Sequence, residues 1–328
     1  MPSTPASTLQ AEFLQLAPAQ GQALSDELAQ GLQQPQPAIA PKFLYDALGS
    51  KLFEAITELE EYYPTRTEAA IFERHRDALA QACGTGHTLV DLGAGNCAKA
   101  ASLFGALRPG RYVAVDISVD FLRHALHELQ ARHPRLPMLG LGLDFSRALP
   151  LPPQVGNGPR LMFYPGSSIG NFAPDTAVEF LRRVRDAAPG GGLLIGVDLL
   201  KPAHVLQRAY DDGLGVTAAF NLNLLRRINR ELDANFSLDA FRHEARFNAD
   251  EQRIEMHLVS LYTQRVTVRG QAFMFAMGES IHTENSYKHS LPRFQQLAAQ
   301  AGWTHRQRWV DAQSRFAIHV LARDVNKT

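Results

Sequence analysis

Cysteine is nearly absent from this sequence: Cys83 and Cys97 are the only two among 328 residues. Two thiols make neither a disulfide framework nor a zinc site, so both read as small core or loop residues. Net charge is absent too, with 33 basic and 33 acidic side chains and no run of one sign. No global field therefore recruits nucleic acid or an anionic membrane. No apolar run reaches the ~18 residues of a membrane span, and no basic-plus-apolar leader opens the chain. A cytoplasmic protein is the expectation. Internal repeats are missing, and no heptad or apolar stripe calls for an obligate partner, so a monomer is expected. The twelve histidines include no H-E-x-x-H, and His124 and His127 lack a third ligand, so no metal is expected.

What is present is ordinary globular material, 45% hydrophobic and 20% charged, enough for one large domain or two moderate ones. The N-terminal stretch, rich in Ala, Gln, Ser and Pro, predicts a disordered start and then an amphipathic helix over 25–33. From Thr88 short apolar runs alternate with helical patterns, as in βαβ units with a parallel sheet. Strands are expected at 88–93, 111–117, 137–143, 160–166 and 191–199, with helices at 99–107, 119–132 and 175–188 between them. Pro189 and three glycines stop the last helix. Two tail strands, 302–310 and 315–322, form a hairpin that closes the sheet antiparallel.

Between Lys201 and Tyr287 this rhythm breaks. A helical stretch over 209–232 precedes an alternating strand over 253–268, with 271–277 as its pairing candidate. The expected fold is thus α/β: a doubly wound, Rossmann-like sheet, mostly parallel with an antiparallel C-terminal strand, plus an inserted α+β substrate domain. The division reads 1–62 as the N-terminal helical part of the main domain and 63–83 as a cap segment belonging with the substrate domain. It continues with 84–203 as the cofactor core, 204–287 as the insertion and 288–328 as the end of the main domain.

The stretch VDLGAGNCAKA (90–100) carries the chemistry. Gly93, Gly95 and Ala98 satisfy the G-x-G-x-x-A turn of a dinucleotide site. Asp91, two residues before the first glycine, disagrees with that reading, because a carboxylate repels a pyrophosphate by ~1 kcal/mol per charge pair even in water. S-adenosylmethionine has no phosphate and carries a cationic sulfonium and an ammonium, which suit Asp91. Asp116 lies 23 residues after Gly93, where it can bind both ribose hydroxyls of either cofactor. Asp144 and Phe145 can serve the adenine amino group and ring face; the plainer reading makes Asp144 a helix cap.

Several blocks now point one way: LYDALGSKLFEAITELEEYYPTRTE (44–68), DLGAGNCAKA, YPGSSIGNF (164–172), AYDDGLGVTAAFNLNLLRRIN (209–229), IEMHLVS (254–260) and GESIHTENSYKH (278–289). In this order they resemble the histidine-specific, S-adenosylmethionine-dependent methyltransferase family, from about Lys42 to the last strands. The resemblance implies transfer of three methyl groups to the α-amine of free L-histidine, yielding hercynine on the way to ergothioneine.

Methyl transfer to an amine releases a neutral thioether, so the protein mainly orients a deprotonated amine in line with the departing bond. A free α-amine has a pKa of about 7.7–8.0, so some acceptor must take its proton. Gly166 and Gly170 permit close backbone approach in YPGSSIGNF. Asn171 offers an amide to the substrate carboxylate and amine, or else caps the helix that starts near Pro174. The resemblance places Asn171 and Tyr210 at the amino-acid end; Tyr210 by itself reads as a core aromatic. Glu284 and Ser286, two apart on an extended segment, face one side. The resemblance has them grip the imidazole together with Tyr62; alone they read as a solvated strand face. Met256 matches a pocket-lining position, or is core filler. Tyr45 lies, by resemblance, near the reacting amine and is the candidate proton acceptor, directly or through water. Lys99 matches a cofactor-side lysine, or is an exposed helix residue.

Three other readings stay open: the same chemistry on a related amino acid or thio-histidine, an NAD-dependent oxidoreductase, and a non-catalytic amino-acid-binding module.

Overall fold

The computed structural model describes residues 9–16 and 22–323; the expected disordered start lies largely outside them. Ten helices among the described residues are α1 (Gln22–Leu32), α2 (Ala47–Thr57), α3 (Tyr63–Arg74), α4 (Arg76–Cys83), α5 (Ala98–Leu107), α6 (Val119–Arg132), α7 (Pro174–Asp186), α8 (Ala203–Tyr210), α9 (Val216–Leu232) and α10 (Leu291–Gln300). The main sheet holds β1 (Glu12–Gln15), β2 (Thr88–Leu92), β3 (Arg111–Asp116), β4 (Met138–Gly142), β5 (Arg160–Tyr164) and β6 (Gly192–Asp198). Three strands form a small antiparallel sheet: β7 (Phe241–Asn248), β8 (Arg253–Ser260) and, after the hairpin of β9 (Gln264–Val268) and β10 (Gln271–Phe275), β11 (Ser280–Tyr287). The hairpin of β12 (Trp303–Val310) and β13 (Phe316–Arg323) completes the main sheet, whose order is β1-β4-β3-β2-β5-β6-β13-β12. β13 runs antiparallel to β6 and β12 to β13, and every other pair in that sheet is parallel.

The central strands are apolar on both faces because both are covered. Val90 and Leu92 of β2 pack with Val178, Phe180 and Leu181 of α7 and with Phe294 of α10. Leu89, one residue before Val90 and on the opposite face, packs toward α3 to α6 through Phe72, Leu79, Leu103 and Leu126. This doubly wound arrangement is the one expected from the alternation of runs.

Three expectations need correction. The N-terminal part is not only helical: β1 pairs in parallel with β4, and Phe13 lies over Gly140, where a Cβ would meet its ring at 2.4 Å. Four residues are too few to reveal a period of two. The strand over 253–268 is two strands, broken at Leu261–Thr263, and only the second pairs with β10. The segment over 63–83 also divides: Tyr63 packs with the inserted block, and the residues after it pack away from it. Ile71, Phe72, Leu79 and Cys83 join the core beneath the main sheet, while Leu28, Phe43, Leu44, Ile56 and Tyr62 pack with Phe220, Met256 and Ile281 of the inserted block.

Candidate active site

The carboxyl ends of β2, β3 and β6 each carry an acid, Asp91, Asp116 and Asp198. Open parallel sheets collect ligands at that edge. Asp91 is fully buried; Tyr112 donates to Oδ2 at 2.8 Å, and Oδ1 has no partner among the described residues. Burial pushes its carboxyl up to about 7, against the pull of the Tyr112 hydroxyl. A buried acid with one oxygen unused calls for a cationic donor.

The loop beside it is cut for a ligand. Gly93 and Gly95 have φ of +74° and +52°, and a Cβ on Gly95 would meet nothing within 4 Å. Gly95 donates its N–H to Asp116 Oδ2 at 2.9 Å, and Ser118 donates to Oδ1 at 2.8 Å. The Phe145 ring edge lies 3.6 Å from where a Gly93 Cβ would stand. Asp144 is held below the ordinary carboxylate range: burial opposes this, but Lys42 at 2.8 Å and Ser146 outweigh it. The Ser146 N–H donates to Asp144 Oδ1 in a local turn, and no helix begins there, so Asp144 is not a helix cap. These residues fit S-adenosylmethionine better than a dinucleotide, since the one orphaned oxygen is an anion's.

Lys99 does not simply face solvent. Its ammonium binds Glu68 Oε2 at 2.7 Å, and Glu68 Oε1 accepts the Gly166 N–H at 2.8 Å. Glu68 is wholly buried and also explains Gly196, whose Cβ would sit 2.2 Å from Oε1. Gly166 and Ser167 both have positive φ, +74° and +61°, so the turn after β5 doubles back into the short 3-10 segment Ser168–Asn171. The helix that follows is capped by Ala173 without a side-chain bond. Asn171 is therefore not its cap, and its amide bonds to nothing else among the described residues.

The second wall comes from the small sheet. Met256 and Glu284 are direct partners across β8 and β11, so their side chains share a face. Glu284 is buried, and its carboxylate has no hydrogen-bond partner among the described residues. Burial raises it to about 7, with Lys288 pulling the other way. Ser286 Oγ lies 2.7 Å from Tyr210 Oη. Tyr62 stands edge-on to Tyr210 at 6.2 Å between centroids, and Tyr45 edge-on to Phe53 and Phe220 at 5.5 and 5.4 Å. Ser118, fixed by Asp116, donates to the Tyr45 carbonyl at 2.9 Å and ties the two walls together.

Tyr45 is the candidate proton acceptor. Burial, then the nearby Glu284, raises its phenol well above the ordinary value. This disfavours the phenolate, so Tyr45 accepts a hydrogen bond or relays a proton more readily than it takes one up as a free base.

Behind Tyr210 and Ser286 lies a network that motif reading missed. Lys288, wholly buried, pairs with Asp198 Oδ2 at 2.8 Å; Asp198 also binds Tyr63 Oη at 2.7 Å and Lys201 at 2.6 Å. The available signal was Asp198 ending an apolar strand as Asp91 and Asp116 do. Sequence spacing also hid a cluster of Glu255, His257 and His282. Its two imidazoles stack face to face, with centroids 4.8 Å apart and planes 13° off parallel. His257 Nε2 lies 3.1 Å from Glu255 Oε2, and His282 Nε2 3.0 Å from the Glu284 carbonyl oxygen.

Comparison with known proteins agrees with this geometry. The family model described as histidine-specific methyltransferase, SAM-dependent, matches residues 24–323. The chain is 41% identical to the histidine N-alpha-methyltransferase of Mycolicibacterium smegmatis over 92% of its own length and 95% of the relative's. It is 39% identical to the protein of the same name from Mycobacterium tuberculosis, with the same coverage. Ergothioneine biosynthesis protein 1 of Neurospora crassa is 30% identical over 85% of this chain, which spans 32% of that longer protein.

Proposed function

Because this chain belongs to the family of histidine-specific, S-adenosylmethionine-dependent methyltransferases, we propose that it methylates the α-amino group of free L-histidine three times, forming hercynine for ergothioneine biosynthesis. The observation that carries this reading is a pair of buried acids with unused oxygens: Asp91 on the donor wall, whose Oδ1 has no partner, and Glu284 on the opposite one, whose carboxylate has none among the described residues. The first suits the donor's ammonium, the second a ring N–H.

S-adenosylmethionine, when bound, supplies an electrophilic methyl group. Asp91, Gly93, Gly95, Lys99, Asp116, Asp144 and Phe145 hold it. The chain's work is orientation. Asn171, free of other bonds, accepts from the amine and donates to the carboxylate, helped by Tyr210 and by the backbone at Gly166. Tyr45 accepts from the amine and passes its proton toward water. Glu284, Ser286, Tyr62 and Met256 enclose the imidazole. After each transfer the head grows larger and more cationic, and the faces of Tyr45 and Tyr62 favour such a group. On this reading residues 25–62 and the inserted block together form the substrate half, acting as a monomer with no resident metal.

Incubation with S-adenosylmethionine and L-histidine, followed by mass spectrometry, tests this directly. Accumulation of a histidine bearing three methyl groups is expected. Donor consumption without any methylated histidine would contradict it.

A further inference from the structure

Lys288 has committed all its protons. It donates to Asp198 Oδ2 at 2.8 Å, to Ser286 Oγ at 2.7 Å and to Tyr210 Oη at 3.0 Å. An ammonium offers three donors and no acceptor, so both hydroxyl oxygens are acceptors toward it. Those two oxygens lie 2.7 Å apart, and one hydroxyl donates to the other. The pair owns two hydroxyl protons and its mutual bond uses one. A single O–H is left over, with no acceptor in the described chain. Where Tyr210 donates the mutual bond, the spare O–H is that of Ser286, on the face it shares with Glu284, two residues away along β11.

We infer that Lys288 is a positioning residue that sets the polarity of the side-chain pocket: Tyr210 spends its proton on Ser286, so the Ser286 hydroxyl is the hydrogen-bond donor to the ligand ring, and Tyr210 Oη serves the amino-acid end only as an acceptor. Glu284, on the same face and without a partner, is the acceptor. The pocket therefore reads a ring with one N–H and one lone-pair nitrogen, which is neutral imidazole. A ring without the lone pair strands a buried O–H, and that is costly. Asp198 anchors the device from behind: Tyr63 and Lys201 hold it in place, so the Lys288 ammonium cannot swing away. The inference rests on the histidine reading above.

The test is calorimetric binding in the presence of S-adenosylhomocysteine, using ring analogues of alanine. Each of thiazol-4-yl- and thiazol-5-yl-L-alanine is compared with the thienyl analogue in which CH replaces the ring nitrogen (thien-3-yl and thien-2-yl). Within a pair only the lone-pair nitrogen differs. Wild-type protein is expected to prefer one thiazolyl isomer at least ~10-fold. In Lys288→Met the spare O–H can turn back to Asp198 Oδ2, which then keeps only its Tyr63 bond, and in Lys288→Gln to the new amide oxygen. In both variants the preference should fall below ~3-fold while S-adenosylhomocysteine affinity stays unchanged. A wild-type protein indifferent to the nitrogen in both pairs overturns the inference, with no variant needed. So does a folded variant that keeps the full preference. Wild-type protein that methylates histidine yet ignores the nitrogen refutes only this inference, whereas protein that binds no histidine refutes the reading beneath it.

Discussion

Tyr112 satisfies one oxygen of Asp91 at 2.8 Å and leaves the other buried without a partner. The two residues sit on neighbouring parallel strands, β2 and β3, so the fold itself presents the free oxygen at the sheet's carboxyl edge. A hydrogen bond from a neutral phenol lowers the cost of the buried acid without neutralising it. The remaining deficit is what a cationic ligand can relieve.

Asp91→Asn follows from this. The carboxyl is raised to about 7, so it is protonated below that pH and ionised above it. Affinity for S-adenosylmethionine should rise between pH 6 and 8 in the wild type, and calorimetry should find the variant weaker and nearly flat. Without ligand the sign reverses. Ionising Asp91 destabilises the fold progressively as pH rises from the ordinary carboxylate range through about 7, so Asp91→Asn should melt higher than wild type at pH 8. A variant with the wild-type pH slope would remove Asp91 from the donor site.

Asp116→Ala should weaken donor binding by about tenfold or more, because the Gly95 N–H loses its acceptor and a ribose partner is lost. Histidine affinity should change far less. Equal donor affinity in titration would displace Asp116 from the ribose.

Glu284→Ala should raise KM for histidine by at least about tenfold and relax the choice of side chain, since a buried ring N–H would lose its acceptor. Unchanged histidine kinetics would refute the imidazole assignment.

Gly170→Ala tests how the loop after β5 is held. An added Cβ would stand 2.8 Å from the Tyr287 carbonyl oxygen and 3.2 Å from its nitrogen, both backbone atoms of β11. The segment carrying Asn171 must move away, costing about 1–3 kcal/mol of stability. Thermal unfolding should shift down and KM for histidine should rise; a variant with wild-type melting and kinetics would show that the two segments need not touch.

Much of the main sheet was legible because its strands are buried on both faces and read as unbroken apolar runs, as in LLIGVD of β6. The glycine loop declared itself through Gly93, Gly95 and the misplaced Asp91. The four-residue β1 did not, since its pairing depends on Gly140 making room for Phe13. Nor did the network behind the pocket. Asp198 and Lys288 are 90 positions apart and meet only because the end of β6 and the residues after β11 converge, as the backbone bond from His289 to the Asp198 carbonyl records. Glu68 was invisible for the same reason: nothing within α3 says that its carboxylate is wholly buried against Gly166 and Lys99.

The most direct measurement offers the protein S-adenosylmethionine and an equimolar mixture of the twenty amino acids, with a nucleosidase present to remove S-adenosylhomocysteine, and follows every amino acid by mass spectrometry. The account predicts one, then two, then three methyl groups on histidine and none on any other amino acid. Methylation of a different amino acid, with histidine untouched, would contradict it.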